Sequence, residues 1–430
     1  MNPPRFLIAL ACFSASACSA DTVELFPDAG LSDSGVVDAA SDAAAEDSQV
    51  ADSGGPRPDA GADPWDAGAP TVLLCPSAIH GELNDYGMLV REDLGMTVSA
   101  APDWTTRVAG STVDRSTIRY VHRHAPTGWD KQRDYSIADG EITTPPHLAS
   151  FDDDRAAVVA YSSGRSPTVM TGWLVRDSQA DEQSIGPVQS TNPLELLDLI
   201  HDGDDLVFAV ANDEGEAWLL KRNLAGRPTG WRQLDLTPAS GRVDKLRLVE
   251  RDGRIWLVDL GTDGTVFEMI IEEGQRREMR FDLNCVNADI GDAAAIDADR
   301  LAYLRTCSGT GPELKLHSLL TSAIPRYLRF PSAAMRVPRQ IAYDGRTLGI
   351  AAWRQEDSGP TIRFYDSELQ AVSRELSVDL SDYVEVLDMD LAGAVDVNGR
   401  FSHWILGIVA RKAGGAAEAV TLNFQGCWLE

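Results

Sequence analysis

Two histidines, His122 and His124, stand two residues apart. On a strand that spacing turns both imidazoles to one side, where they could share a metal. No acidic ligand completes the set at a fixed spacing, so the default reading is a pair of exposed, non-ligating histidines. Asp396-Val397-Asn398-Gly399 comes nearest to a calcium loop, with oxygen-bearing side chains at alternate positions. It lacks the full run of alternating acids and the closing bidentate Glu, and turn formation is the ordinary work of these residue types. Structural calcium is therefore the one cofactor the pattern admits, and none is otherwise expected. The chain has no Cys-x-x-Cys, His-Glu-x-x-His, Gly-x-Ser-x-Gly or Gly-rich loop ending in Lys. With 66 acidic residues in 430, a carboxylate pair at glycosidase spacing can be chosen anywhere, so acid counting names no catalytic residue.

The elements that would position such groups are legible from a repeat. Polar turns followed by an apolar strand recur at Asp152-Asp153-Asp154-Arg155, Asp202-Gly203-Asp204, Asp252-Gly253-Arg254, Asp297-Ala298-Asp299-Arg300, Asp344-Gly345-Arg346 and Asn398-Gly399-Arg400, about 46 to 54 residues apart. Asp, Asn and Gly tolerate positive φ, which tight hairpins between antiparallel strands require. Glu92-Asp93-Leu94-Gly95 reads as a degenerate first copy, about 60 residues ahead of the next. Phrases ending at Leu236, Leu283, Phe330 and Val378 keep a beat of about 47. Within one period the residues predict four strands: Val243 to Val249, Arg254 to Leu260, Thr265 to Ile271 and Arg277 to Leu283.

Four-stranded antiparallel units repeating at this length resemble the blades of a β-propeller. The turns count to seven blades, with six as the nearest alternative and a stacked β-sandwich or solenoid as the structural one. The seventh unit is a strand short after Phe401 to Ala410 and Ala419 to Phe424, while Thr71 to Cys75 is an orphan strand. Joining N- and C-terminal strands would close the ring. The Asp boxes of sialidase propellers and the Gly-His and Trp-Asp marks of WD40 repeats are absent.

Aromatic residues give the binding candidates. Thr-Gly-Trp recurs at Trp129, Trp173 and Trp231, where packing is the expected role. Trp104 and Trp353 are expected near loops between second and third strands, with Asp103, Arg107, Arg354 and Glu356 beside them. In a propeller those loops share a face with the inter-blade connections, so these six residues are the ligand-face candidates.

The first seventy residues have a different character. Met1 to Ala17 holds Arg5, an apolar run from Phe6 to Phe13 and then small residues, the pattern of an export signal too short to span a bilayer. Its end, Ala15-Ser16-Ala17-Cys18, resembles the lipobox of bacterial lipoproteins. The resemblance implies lipidation of Cys18, and Ser19 after it implies delivery to the outer membrane. Ala15 stands where leucine is usual, and cleavage by ordinary signal peptidase would instead release a secreted protein. Residues 18–70 carry twelve acids against Arg57, with Ala, Gly, Ser and Pro between them, the composition of a solvated, disordered tether. Residues 71–430 form the propeller body. Setting aside the −11 of the tether and the +1 of Arg5, the chain's −28 leaves the body at −18. Such a surface argues against nucleic acid or anionic headgroups as partners, and membrane contact is expected only through the lipid.

Four cysteines remain in the body, an even number in an exported chain. Cys285 precedes the first strand of the fifth unit and Cys307 ends its second, which favours their pairing. Cys75 with Cys427 then follows by elimination and would staple the closure, and four free thiols are the alternative. Together these features predict a monomeric, non-catalytic recognition or scaffolding propeller of the cell envelope that binds a protein or glycan. A polysaccharide-acting hydrolase or lyase with its site in the central mouth, and a structural subunit of an envelope assembly complex, are the alternatives.

Overall fold

The computed structural model describes residues 83–124, 129–136, 140–151, 155–163, 168–176, 183–184, 188–190, 194–202, 205–212, 217–223, 232–235, 246–251, 254–260, 266–272, 275–281, 289–297, 299–307, 311–318, 326–330, 336–353, 359–373, 375–399 and 401–427, with 7–9 and 22–24. Leu7–Ala9 pairs with Thr22–Glu24. The rest of the expected signal and tether, together with Cys18, Thr71 to Cys75, Cys285, Arg354 and Glu356, lies outside the described residues.

The described body is all-β and forms a β-propeller. Five of its sheets are four-stranded meanders in chain order. Blade 1 comprises Met96–Ala100, Thr105–Ser111, Thr117–His124 and Trp129–Ser136. Blade 3 begins at Leu194–Asp202, blade 4 at Leu246–Arg251, blade 5 at Asp289–Ala295 and blade 6 at Arg336–Tyr343. Blade 2 is interrupted. Its inner edge is split into Glu141–Ile142 and His147–Ser150, both paired to Arg155–Ser163. Pro145 and Pro146 sit between the two pieces, where a missing N–H donor breaks the ladder. Blade 7 joins the chain's two ends in the order Leu83–Leu89, Ala417–Cys427, Phe401–Arg411, Glu385–Val395. Each innermost strand touches the innermost strand of the next blade, and the strand of blade 7 touches that of blade 1, so the ring closes.

Apolar layers between blades hold the ring. Ala351, Ile362 and Phe364 of blade 6 pack with Trp404, Leu406 and Phe424 of blade 7. Ile405 and Val409 of blade 7 meet Val98 and Val108 of blade 1 across the closing seam. Trp404 is almost fully buried, and glycines leave room for it: a Cβ on Gly349 would stand 2.7 Å from its ring and one on Gly393 2.6 Å.

Acidic residues tie these layers together. Inner strands bulge just before Asp198 and Asp292, turning each carboxylate out of its own ladder. Asp198 accepts the N–H of Leu199 and of Leu248 in the next blade, both at 2.8 Å. Asp292 does the same with Ala293 and with Ile341 of blade 6, each at 2.9 Å. At the seam Asp390 accepts from Leu391 at 3.0 Å and from Val98 at 2.8 Å. A carboxylate bridging two backbone donors makes charge-assisted bonds worth roughly 1.5–3 kcal/mol each in net stability.

Two expectations change. Glu92-Asp93-Leu94-Gly95 is not an inner hairpin: it links the closing strand Leu83–Leu89 to Met96–Ala100. The first inner hairpin is 101–104, about 50 residues before Asp152–Asp154 and in step with the rest of the repeat. It was hidden because Trp104 occupies its positive-φ position, where Gly, Asn or Asp is usual. The strand found closing the ring is Leu83–Leu89, whose alternation is broken by a register shift between Asp85 and Met88. Of the four strands expected in blade 4, Arg254–Leu260 is found as expected, and the other boundaries move by one to three residues.

Candidate functional site

In such meanders the loops joining first to second strands lie at one end of the ring, and those joining second to third strands lie at the other with the blade junctions. The structure separates the two candidate tryptophans accordingly. Trp353 ends the second strand of blade 6, at the blade-junction end as expected, half-buried against the layer between blades 6 and 7. Trp104 lies between the first and second strands of blade 1, at the opposite, inner-hairpin end. The shift of hairpin register described above moved it.

The 101–104 loop is built by its own side chains. Ala101 N–H donates to the Thr105 carbonyl at 2.9 Å and Trp104 N–H to the Ala101 carbonyl at 3.1 Å. Asp103 fixes the exit, its carboxylate accepting Thr105 N–H at 2.9 Å and Thr105 Oγ1–H at 2.8 Å. Trp104 is left with φ of 74°, the left-handed region that a bulky side chain enters at a cost of order 1–3 kcal/mol. Its indole stacks on His403 of blade 7, with centroids 5.4 Å apart and planes 29° from parallel. Phe401 flanks it at 6.2 Å.

His403 is 3% exposed, its ring packed beneath the Trp104 indole. Burial pushes its pKa down to about 4, against the weaker opposing pull of the Ala101 backbone and the Asp103 carboxylate. The imidazole under Trp104 is thus neutral at ordinary pH. His124, half-buried, sits with Nε2 3.9 Å from an Asp103 oxygen.

Arg107 is interior and not at the rim. It is fully buried, and Nη1 donates to Ser150 Oγ of blade 2 at 3.1 Å, with Ser99 Oγ 2.5 Å from the same hydroxyl. It stands opposite Ser99 and His122 in the ladder. His122 is also fully buried, its ring 6.0 Å from Tyr120, which corrects the expectation of an exposed histidine. Arg107 thereby joins blades 1 and 2. The Asp396 turn is closed by its own residues: the Asp396 carboxylate accepts Phe401 N–H at 3.0 Å, and its N–H donates to the Phe401 carbonyl at 2.8 Å. Among the described residues no three His, Cys, Asp or Glu side chains gather as a metal site. Trp173 packs on Tyr135, 5.0 Å between centroids, within the layer between blades 1 and 2.

Sequence reasoning missed His403 and Phe401. Their signal was the alternation after the Asn398-Gly399 turn, which sends Phe401, His403 and Ile405 to one face and Ser402, Trp404 and Leu406 to the other.

No family model and no curated protein sequence matches this chain. Solved structures similar to it include prolyl oligopeptidase B from Galerina marginata, 11% identical with a TM-score of 0.46, the match covering 72% of this chain and 46% of that one. The chain therefore spans about half the length of that enzyme. The β-propeller domain of the Trilobed protease from Pyrococcus furiosus is 11% identical with a TM-score of 0.47, covering 76% and 93%. The SapL1 lectin in complex with alpha methyl fucoside is 12% identical with a TM-score of 0.45, covering 68% and 98%.

Proposed function

We propose that this protein is an envelope-tethered recognition propeller, anchored through a lipidated Cys18, spaced from the membrane by its acidic tether, and binding a protein or glycan without chemical turnover. The observation that carries the reading is how its buried acids are engaged. Five are buried among the described residues: Asp198, Asp292, Glu313, Asp344 and Asp396. Asp198 and Asp292 clasp neighbouring blades, and Asp344 and Asp396 hold hairpins through backbone N–H groups. Glu313 accepts Arg305 Nε–H at 2.7 Å from directly across the ladder. Carboxylates fixed in this way serve architecture, whereas a hydrolytic acid needs an environment that raises its pKa and an approach for substrate. The costs that do not serve the fold, a tryptophan in left-handed backbone and a buried imidazole stacked beneath it, fall together on the rim, where recognition surfaces tend to be placed.

The test compares full-length wild type with Cys18→Ser in a bacterial host, then incubates the protein with envelope polysaccharides. Wild type should carry a lipid mass shift and sediment with membranes, while Cys18→Ser should not. Polysaccharides should emerge unshortened. Membrane retention of Cys18→Ser without lipid on the wild type would overturn the anchor, and new reducing ends or unsaturated products would overturn the non-catalytic assignment.

A further inference from the structure

At the inner-hairpin end, half-buried aromatic rings are carried by four consecutive blades: Phe401 on blade 7, Trp104 on blade 1, Phe151 on blade 2 and His201 on blade 3. They meet in pairs across two blade boundaries. Trp104 approaches Phe401 at 6.2 Å over the closing seam, and Phe151 approaches His201 at 5.3 Å between blades 2 and 3. Asp103 and His124 stand beside Trp104, and Arg155 lies over the Phe151 ring at 6.0 Å. Rings, carboxylate, imidazole and guanidinium thus share one arc of the rim.

We infer that this arc is an oligosaccharide-binding rim for neutral sugars, in which Trp104 and Phe151 stack on pyranose faces and Asp103 and His124 hydrogen-bond to hydroxyls. Amphipathic rings suit a ligand with one C–H face and a hydroxyl edge, and carboxylate and imidazole accept and donate to vicinal hydroxyls. Stacking on the buried imidazole of His403 holds the lower face of the Trp104 ring before ligand arrives. Preorganised rings bind with less ordering cost. The body's net charge of −18 disfavours anionic glycans and nucleic acids, which would also stack, and so selects neutral saccharides.

The inference rests on the recognition reading but fails separately from it. Isothermal titration of the intact protein with cellopentaose, maltopentaose and chitopentaose should give saturable binding to at least one. Trp104→Ala and Phe151→Ala should each weaken that binding at least tenfold, while Tyr327→Ala, exposed on the outer strand of blade 5, should leave it unchanged. Trp104→Gly provides a second variant that relieves the left-handed strain, so lost binding with a preserved melting temperature cannot be ascribed to unfolding. No saturable heat with any of the three sugars, or full-strength binding by Trp104→Ala, overturns the inference. A protein partner cross-linked in the envelope by a chain silent to all three would leave the recognition reading standing and this one refuted.

Discussion

The indole of Trp104 lies on the imidazole of His403, 5.4 Å between centroids, across the seam where the last blade meets the first. The two residues are 299 positions apart in the sequence and become neighbours only because the chain's ends share blade 7. Each is costly alone, one for its backbone angle and one for its burial. Together they place a fixed aromatic surface on the rim.

Acid should weaken the fold through His403. Its folded pKa of about 4 lies below the ordinary 6.5, so the folded state keeps the imidazole neutral while the unfolded chain protonates it. The linkage contribution is full above pH 6.5 and is lost as pH falls toward 4, by up to about 3 kcal/mol. His317 shifts the same way, chiefly through burial and then Lys315, so wild type alone cannot separate the two. Urea denaturation of wild type and His403→Phe at pH 7 and 4.5 isolates the seam. The variant should lose clearly less stability on acidification, and an identical pH slope would contradict the neutral, buried assignment.

The blade clasp at Asp292 makes a separate prediction. Asp292→Ala strands the N–H groups of Ala293 and Ile341 in a buried layer, for an expected loss of about 2–4 kcal/mol. Asp292→Asn, which keeps one acceptor oxygen, should recover part of it. Denaturation midpoints decide the matter: a change under about 0.5 kcal/mol in the alanine variant would mean that blades 5 and 6 are held by their apolar layer alone.

The sequence showed the propeller because hairpin turns are local: Asp and Gly at Asp252-Gly253 or Asp344-Gly345 mark the same bend wherever it recurs. It misplaced the first hairpin because Trp104 breaks that local rule, and the period of about 50 residues was the better guide there. Leu83–Leu89 was illegible for a different reason, since two extra residues at its bulge erase the alternation that marks a strand. Arg107 was named from its neighbourhood in sequence, yet it is buried and donates to a serine of the next blade. His403 needed both the closure of the ring and the face of its strand to be known before its contact with Trp104 could be drawn. Tertiary proximity across a seam leaves no trace in local pattern.

Gly349 should not tolerate a methyl group. Its added Cβ would come 2.7 Å from Trp404, whose ring is held at 4.9 Å from Phe364 and parallel to Phe424 within 8°. Overpacking of this kind costs about 1–3 kcal/mol. Trp404→Phe leaves its own void but keeps the Phe364 ring 3.0 Å from that Cβ, so in that background Gly349→Ala should cost clearly less without becoming free. A double-mutant cycle then reports a coupling of order 1 kcal/mol or more, and strictly additive losses would show that the slot is not shaped to the indole.

The closing strand supplies the last prediction. Met88 and Val90 are almost fully buried between blades 7 and 1, and Val90 N–H donates to the Ala417 carbonyl at 3.1 Å. A chain beginning at Arg91 loses both side chains from the seam and leaves the strand Ala417–Cys427 with an unpaired edge. Such an edge recruits other strands. The truncated body should melt at lower temperature and associate with itself as concentration rises, seen by light scattering. A synthetic peptide of residues 81–90 added in trans should restore the melting temperature saturably, because it binds only the folded ring. If the truncated body stays monomeric with an unchanged melting temperature, the apolar seam of Ile405, Val409, Val98 and Val108 closes the ring without help from the N-terminal strand.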